Sequence, residues 1–250
     1  MEEQRIDPTI SYDIVELPSK GIHYQNKKKS VRVAYLTAAD ENILSSPNLI
    51  ASSLVIPELL KRKILDRDLP IEDIVEEDKQ AILIFLRNTA FGTEYHMTLT
   101  DPKTNEKFRT VFDLSTLKVK DFILKEDSNG EYEYFLKKSK VPITFQFLSQ
   151  KQEDELNNLK NSWEGEGVAP ISTKRLEMMI KSVNGSRSQM EIYSFINNKM
   201  PLSDSQEFKK YVNANKPGLD LTQTVETPSK EIIQAEIGFG VEFFRPFYGI

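Results

Sequence analysis

The run Ala81-Ile82-Leu83-Ile84-Phe85-Leu86 is the longest apolar stretch in the chain, and it constrains the fold more than any other segment. Glu76, Glu77 and Asp78 stand just before it, where acids complement the positive end of a helix dipole. Gly92 follows as a C-terminal stop. The pattern predicts a helix over 76–90. Its middle is apolar all the way round, so the helix must be central and covered on every side. Its β-branched content leaves a buried strand as the alternative. The run is far too short to cross a bilayer.

What surrounds this helix reads as short elements. Tyr12 to Leu17 is strand-like, and Pro18-Ser19-Lys20-Gly21 supplies turn chemistry. Val31, Val33 and Tyr35 alternate with Arg32 and Ala34, as in a half-buried strand. Thr37 and Asp40 form a capping box for a short helix that Pro47 ends. Pro57 opens a helix running to Leu65. Tyr95, Met97 and Leu99 pair as a hairpin with Phe108 to Phe112 across the turn Asp101-Pro102-Lys103-Thr104-Asn105. A second hairpin joins Tyr132–Leu136 to Val141–Phe147. Ser149 and Gln152 cap a polar helix ending near Trp163. Further helices are predicted over 173–183, 190–197 and 204–212, and strand-like runs over 221–226 and 232–244.

The fold class is therefore α+β: small antiparallel hairpins packed with a central apolar helix, then a C-terminal helical region closed by a ribbon-like β-hairpin. Gly165-Glu166-Gly167 is the best internal hinge. It predicts an α+β domain over 1–164 and a helical segment with its hairpin over 168–250. With 39% hydrophobic and 28% charged residues, the chain is globular and not disordered.

The chemistry available is narrow. There is no cysteine, so disulfides, thiolate nucleophiles and thiolate metal sites are excluded together. This suits a reducing cytoplasm. The two histidines, His23 and His96, lie far apart in strand or turn segments, where a histidine is ordinarily a surface or hydrogen-bonded residue. Asp66 and Asp68 lack the glycine and closing glutamate of a calcium loop. No Gly-x-Ser-x-Gly occurs, and Gly238-Phe239-Gly240 falls in a strand-like run and not before a helix. A carboxylate pair for glycoside hydrolysis is not excluded by counting, but nothing marks one. The sequence thus predicts no catalytic residues, no cofactor and no metal ion.

A formal charge of −5 argues against a nucleic-acid coat. The one dense basic run, Lys27-Lys28-Lys29, reads as a solvated turn. The acidic start Glu2-Glu3 does not begin a signal peptide, and no membrane partner is expected. Protein partners remain. Phe243, Phe244, Phe247 and Tyr248 bunch around Pro246 near the end of the chain. Such a cluster either covers the local core or anchors a partner, and these five residues are the candidate partner-binding site.

Several segments in order carry a resemblance. Glu16-Leu17-Pro18-Ser19-Lys20-Gly21, Leu36-Thr37-Ala38-Ala39-Asp40-Glu41 and Ser45-Ser46-Pro47-Asn48-Leu49-Ile50 form one block. Asp78, Arg87, Phe91-Gly92 and Tyr95 form a second. Met200-Pro201, Asp204-Ser205, Tyr211 and Pro217-Gly218-Leu219-Asp220-Leu221 form a third, and Phe243-Phe244-Arg245-Pro246 closes the series. This collinear order resembles the hub-assembly proteins of T-even-like contractile phage tails and their prophage relatives.

The resemblance implies a non-enzymatic tail assembly protein, acting as a chaperone or component of the baseplate hub. Its partners would be other baseplate or hub proteins. It would work in the host cytoplasm during assembly, or in the tail baseplate of the particle. The family brings no enzymatic residues. Two further readings are a tail-associated cell-wall hydrolase and a nucleic-acid-binding module. Relatives often carry a Cys-Pro-x-Cys knuckle before the closing aromatics. Here the matching stretch is Thr227-Pro228-Ser229-Lys230, which cannot supply thiolates. The expectation is a turn without zinc, held by hairpin pairing and by packing of Ile232, Ile233 and Ile237.

Overall fold

The computed structural model describes residues 9–163 and 168–244. In chain order it begins with β1 (Tyr12–Glu16), β2 (Ser30–Ala34), α1 (Glu41–Leu44), α2 (Pro47–Ala51), α3 (Val55–Lys63), α4 (Glu76–Phe91), β3 (Glu94–Thr100) and β4 (Lys107–Asp113). There follow β5 (Tyr132–Leu136), β6 (Val141–Phe145), α5 (Gln150–Asn161), α6 (Ile171–Met179), β7 (Ile180–Val183), α7 (Gln189–Asn198) and α8 (Leu202–Asn215). The described chain closes with β8 (Thr222–Glu226), β9 (Ile232–Glu236) and a 3₁₀ turn at Val241–Phe244. The class is α+β, and all described sheets are antiparallel with two or three strands. Among the described residues, no helix is long and apolar enough to cross a membrane.

The chain divides into two compact units, Met1–Lys120 with Gly218–Ile250, and Asp121–Pro217. This differs from a boundary at Gly165-Glu166-Gly167. Of that stretch nothing is described, but α5 and α6 on either side of it belong to one unit. Arg175 of α6 donates two hydrogen bonds to Glu153 of α5, at 2.6 and 2.7 Å. A glycine pair marks a loop. Whether its flanks share a core is decided by contacts distant in sequence, and here they do. The predicted division into 1–164 and 168–250 gives way to a second unit inserted into the first.

In the first unit α4 is the central helix. Ile82, Leu83, Ile84 and Leu86 are all buried. They share one core with Val15, Val31 and Val33 of the β1–β2 hairpin and with Leu59 and Leu60 of α3. Each such side chain contributes roughly 1.5–3 kcal/mol on burial. Gly92 caps the helix at φ +83°, a left-handed conformation that favours glycine. The strand alternative for this run is set aside.

Antiparallel pairing places Tyr12 opposite Ala34 and Val15 opposite Val31. The loop between these strands turns at Gly21, with φ +78°. A Cβ there would lie 2.6 Å from the Lys27 carbonyl, so only glycine fits. The β3–β4 hairpin turns Tyr95, Met97, Leu99, Phe108 and Phe112 toward Val225, Ile233 and Ala235 of the β8–β9 hairpin. Lys118–Lys120 runs beside Gly218–Asp220: the Lys120 amide donates to the Gly218 carbonyl, and the Asp220 amide to that of Lys118, both at 2.8 Å.

The second unit has its own core. Tyr132 and Leu136 of β5, Ile143 and Phe145 of β6, and Ile180 and Val183 of β7 pack with Ile192, Phe195, Phe208 and Val212 of α7 and α8.

Three local expectations shift, and one gains a second part. The short helix α1 ends at Leu44, before Pro47 as expected, and Pro47 also opens α2 as its first residue, where its missing amide costs nothing. Pro57 is the third residue of α3, still among the amides without an intrahelical partner. The helix predicted over 173–183 stops at Met179. Ile180–Val183 becomes a third strand pairing with β6, because Ile180 and Val183 are buried there. The strand run predicted over 232–244 ends at Glu236, so Gly238-Phe239-Gly240 lies outside any strand. Both predicted capping boxes are present, at Thr37/Asp40 and Ser149/Gln152.

Candidate functional site

The aromatic candidates separate. Phe243 and Phe244 are each 1% exposed and belong to the core of the first unit. The Phe243 ring sits 5.2 Å from Tyr95, 4.9 Å from Phe239 and 5.3 Å from Phe244, centroid to centroid. Neither is available to anchor a partner. The reason is volume: large rings brought beside an apolar helix fill the space next to it. Pro246, Phe247 and Tyr248 lie outside the described residues.

The contact that holds Phe243 was not anticipated. Arg87 is fully buried on α4. Its Nε donates to the Phe243 carbonyl at 3.1 Å, one terminal nitrogen to Gly92 at 2.6 Å, and the other to Glu94 at 2.7 Å. The guanidinium carbon lies 5.2 Å from the Tyr95 ring centre and 5.6 Å from that of Phe243. Burial pushes its pKa down. One cation thus ties the end of α4, the start of β3 and the closing 3₁₀ turn. The sequence signal was a lone arginine at the end of an apolar run.

The acidic residues quoted in the resemblance blocks do similar work. Asp78 is fully buried on the first turn of α4 and accepts from the Ser19 amide at 2.9 Å, the Ser19 hydroxyl at 2.5 Å and the Tyr24 hydroxyl at 2.5 Å. Burial outweighs these donors and raises its pKa. Burial and the adjacent carboxylate also raise the Tyr24 phenol.

Asp40 receives the Thr37 amide at 2.7 Å and pairs with Lys63 and Arg62. Burial opposes its ionisation, but Lys63 and Thr37 prevail and hold the carboxyl below its usual range. Asp204 on α8 accepts from the amides of Lys138 and Ser139, both at 2.8 Å, and so fixes the β5–β6 turn. Asp66 binds Arg32 and Lys28. Within the basic run, Lys28 also donates to Asp68 at 2.7 Å.

The stretch Thr227-Pro228-Ser229-Lys230 closes as a turn. The Thr227 amide donates to the Glu231 carbonyl at 2.8 Å, and the Lys230 amide to the Thr227 carbonyl at 2.9 Å. Asp101, from the β3–β4 turn, accepts from the Ser229 amide at 3.0 Å and the Ser229 hydroxyl at 2.9 Å. It also accepts from the Lys103 amide at 2.9 Å. Burial opposes its ionisation, yet these donors hold its pKa down to about 2. A carboxylate therefore bridges the tips of the two hairpins. Ile237 is buried and Ile233 partly so, but Ile232 is 75% exposed and does not help hold the turn.

The second unit carries a groove of about 300 Å³ with Phe147, Leu148, Ile171, Met179 and Val212 in its walls and the Arg175–Glu153 pair at its side. Elsewhere in this unit Glu131 is buried. It accepts from Arg187 at 2.7 and 3.0 Å and from Thr144 at 2.7 Å, and Thr144 meets the Ser182 hydroxyl at 2.7 Å. Both oxygens of Glu131 are occupied by the guanidinium, so the nearby hydroxyls face a carboxylate already engaged. Lys181 donates to the Met178 carbonyl at 2.8 Å, and burial lowers its pKa.

His96 is exposed on β3, and His23 is half-buried in the turn after β1. Among the described residues, no group of three or more histidines and acids could hold a metal ion. No family model matches the chain, and no curated protein or solved structure matches it.

Proposed function

We propose that this chain is a non-enzymatic assembly protein of a contractile phage-type tail, acting by protein–protein binding as a chaperone or component of the baseplate hub. The collinear blocks quoted above supply the link to tail assembly. The observation that carries the non-enzymatic part is the commitment of the buried charges. Asp78, Asp101, Asp204 and Arg87 each bind backbone groups that hold one element against another. Such residues are needed for shape and leave recognition to surfaces.

The proposed setting is the host cytoplasm during assembly, with other baseplate or hub proteins as partners. Co-expression with the tail proteins of the same gene cluster, followed by pull-down on this chain, should recover a stoichiometric complex. Recovery of no tail protein would overturn the reading. Mass spectrometry of purified particles then separates the two roles: stoichiometric presence marks a baseplate component, and absence marks a chaperone that leaves. A peptidoglycan zymogram should show no clearing.

A further inference from the structure

Among the described residues, one side of the β1 strand has no strand partner. The Leu17 amide donates to the Lys29 carbonyl at 2.8 Å, and the Tyr35 amide to the Ser11 carbonyl at 3.2 Å. With the register Tyr12 opposite Ala34 through Glu16 opposite Ser30, odd-numbered residues of β1 exchange hydrogen bonds with β2. The N–H and C=O groups of Tyr12, Ile14 and Glu16 therefore point away from β2. Among the described residues, β1 pairs with β2 alone.

The side chains beside this edge are apolar and exposed. Tyr12 is 39% exposed and Ile14 64%, and their two-residue spacing puts them on one face of the strand, with Ile10 just before it 39% exposed. Of the usual guards of a sheet edge, Tyr12–Glu16 contains no lysine, no proline and no bulge, and its only charges are the acids Asp13 and Glu16. An edge of this kind is a template for one more strand.

Charge narrows the occupant. Asp121–Pro217 holds 14 basic and 14 acidic residues, so the net charge of −5 falls on the unit that contains β1. The segment from Ile10 to Leu17 adds Asp13 and Glu16 and no base. A second copy would bring two acidic units together along this edge, whereas a basic strand would be attracted. We propose that the outer edge of β1 takes up an extended, apolar and basic segment of a partner protein as an added strand. Its apolar side chains would lie beside Tyr12 and Ile14, and a basic one on the opposite face within reach of Asp13, while Glu16 adds to the negative charge of the edge. This names a docking surface for the protein-binding reading above and rests on it for biological context alone.

The test uses the full chain and a fluorescein-labelled ten-residue peptide alternating valine and lysine, with a valine–glutamate peptide as control. Fluorescence anisotropy should show the basic peptide binding at least tenfold more tightly than the acidic one. Ile14→Lys puts a like charge on the edge and should weaken that binding at least tenfold. Ile14→Pro removes an outward N–H and should do the same. Circular dichroism of each variant checks that the fold is kept, and backbone amide shifts at Tyr12, Ile14 and Glu16 should report the peptide.

Equal binding of the two peptides, or binding unchanged in a folded Ile14→Lys variant, overturns the proposal. So does a dimer in sedimentation that Ile14→Lys dissolves, because the occupant is then a second copy. If tail proteins are still captured by the Ile14→Lys chain, the assembly reading stands and only this surface falls.

Discussion

Replacing Arg87 with methionine keeps most of the side-chain volume and removes the charge, so it isolates what the guanidinium does. Three carbonyls, of Gly92, Glu94 and Phe243, lose a charged donor. Hydrogen bonds of this kind contribute about 1.5–3 kcal/mol each, and the two ring contacts about 0.5–2 kcal/mol each. Against that stands the cost of burying a guanidinium, several kcal/mol, which methionine does not incur. Each buried carbonyl left without a donor costs about 1–3 kcal/mol, so with the relief of the guanidinium's burial set against it the expected net loss is about 3–5 kcal/mol.

For a chain of this size each kcal/mol lowers the melting temperature by about 2–4 °C, so Arg87→Met should melt roughly 6–20 °C lower. Urea titration followed by far-ultraviolet circular dichroism reads the free energy directly. Arg87→Lys should recover only part of it, because one ammonium cannot fan across three carbonyls. A loss under about 1 kcal/mol in Arg87→Met, or full recovery by lysine, would refute the reasoning.

Phe244→Ala should cost about 3–5 kcal/mol by leaving a cavity in the first core, seen as an early urea midpoint. A variant of native stability that merely fails to bind tail proteins would return Phe244 to an anchoring role. Asp101 sets a pH window for the hairpin clasp. Its folded pKa of about 2 lies below the ordinary value near 3.9, so the clasp contributes fully above about pH 4 and is lost as pH falls toward 2. Amide exchange protection at Ser229 and Lys103, followed by NMR, should decline across that range. In Asp101→Ala it should already be reduced about tenfold at neutral pH.

Much of the local structure was legible before the fold was seen. The central helix followed from an apolar run bracketed by acids and a glycine, and both capping boxes from four-residue patterns. These signals are local: a cap, a dipole or a strand alternation acts over a few residues, so sequence spacing contains it. Misreadings came where distant contacts chose between local options. Ile180–Val183 suits a helix end or a strand, and pairing with β6 selected the strand. Phe243 and Phe244 suit a core or an anchor. The space beside α4 and the carbonyl contact from Arg87 selected the core.

By itself the amino-acid sequence determined the α+β class, the alternation of Val31 and Val33 and of Tyr95, Met97 and Leu99, and the lack of thiols. Each of these depends on residue type and near spacing alone. Tertiary structure alone decided that residues 121–217 form a unit inserted within another. It also decided that Asp101 meets Ser229 across 128 positions of chain, and that among the described residues β1 pairs along one edge only. Those outcomes turn on which surfaces bury one another. Burial is a property of the whole packed chain, and no window of sequence contains it.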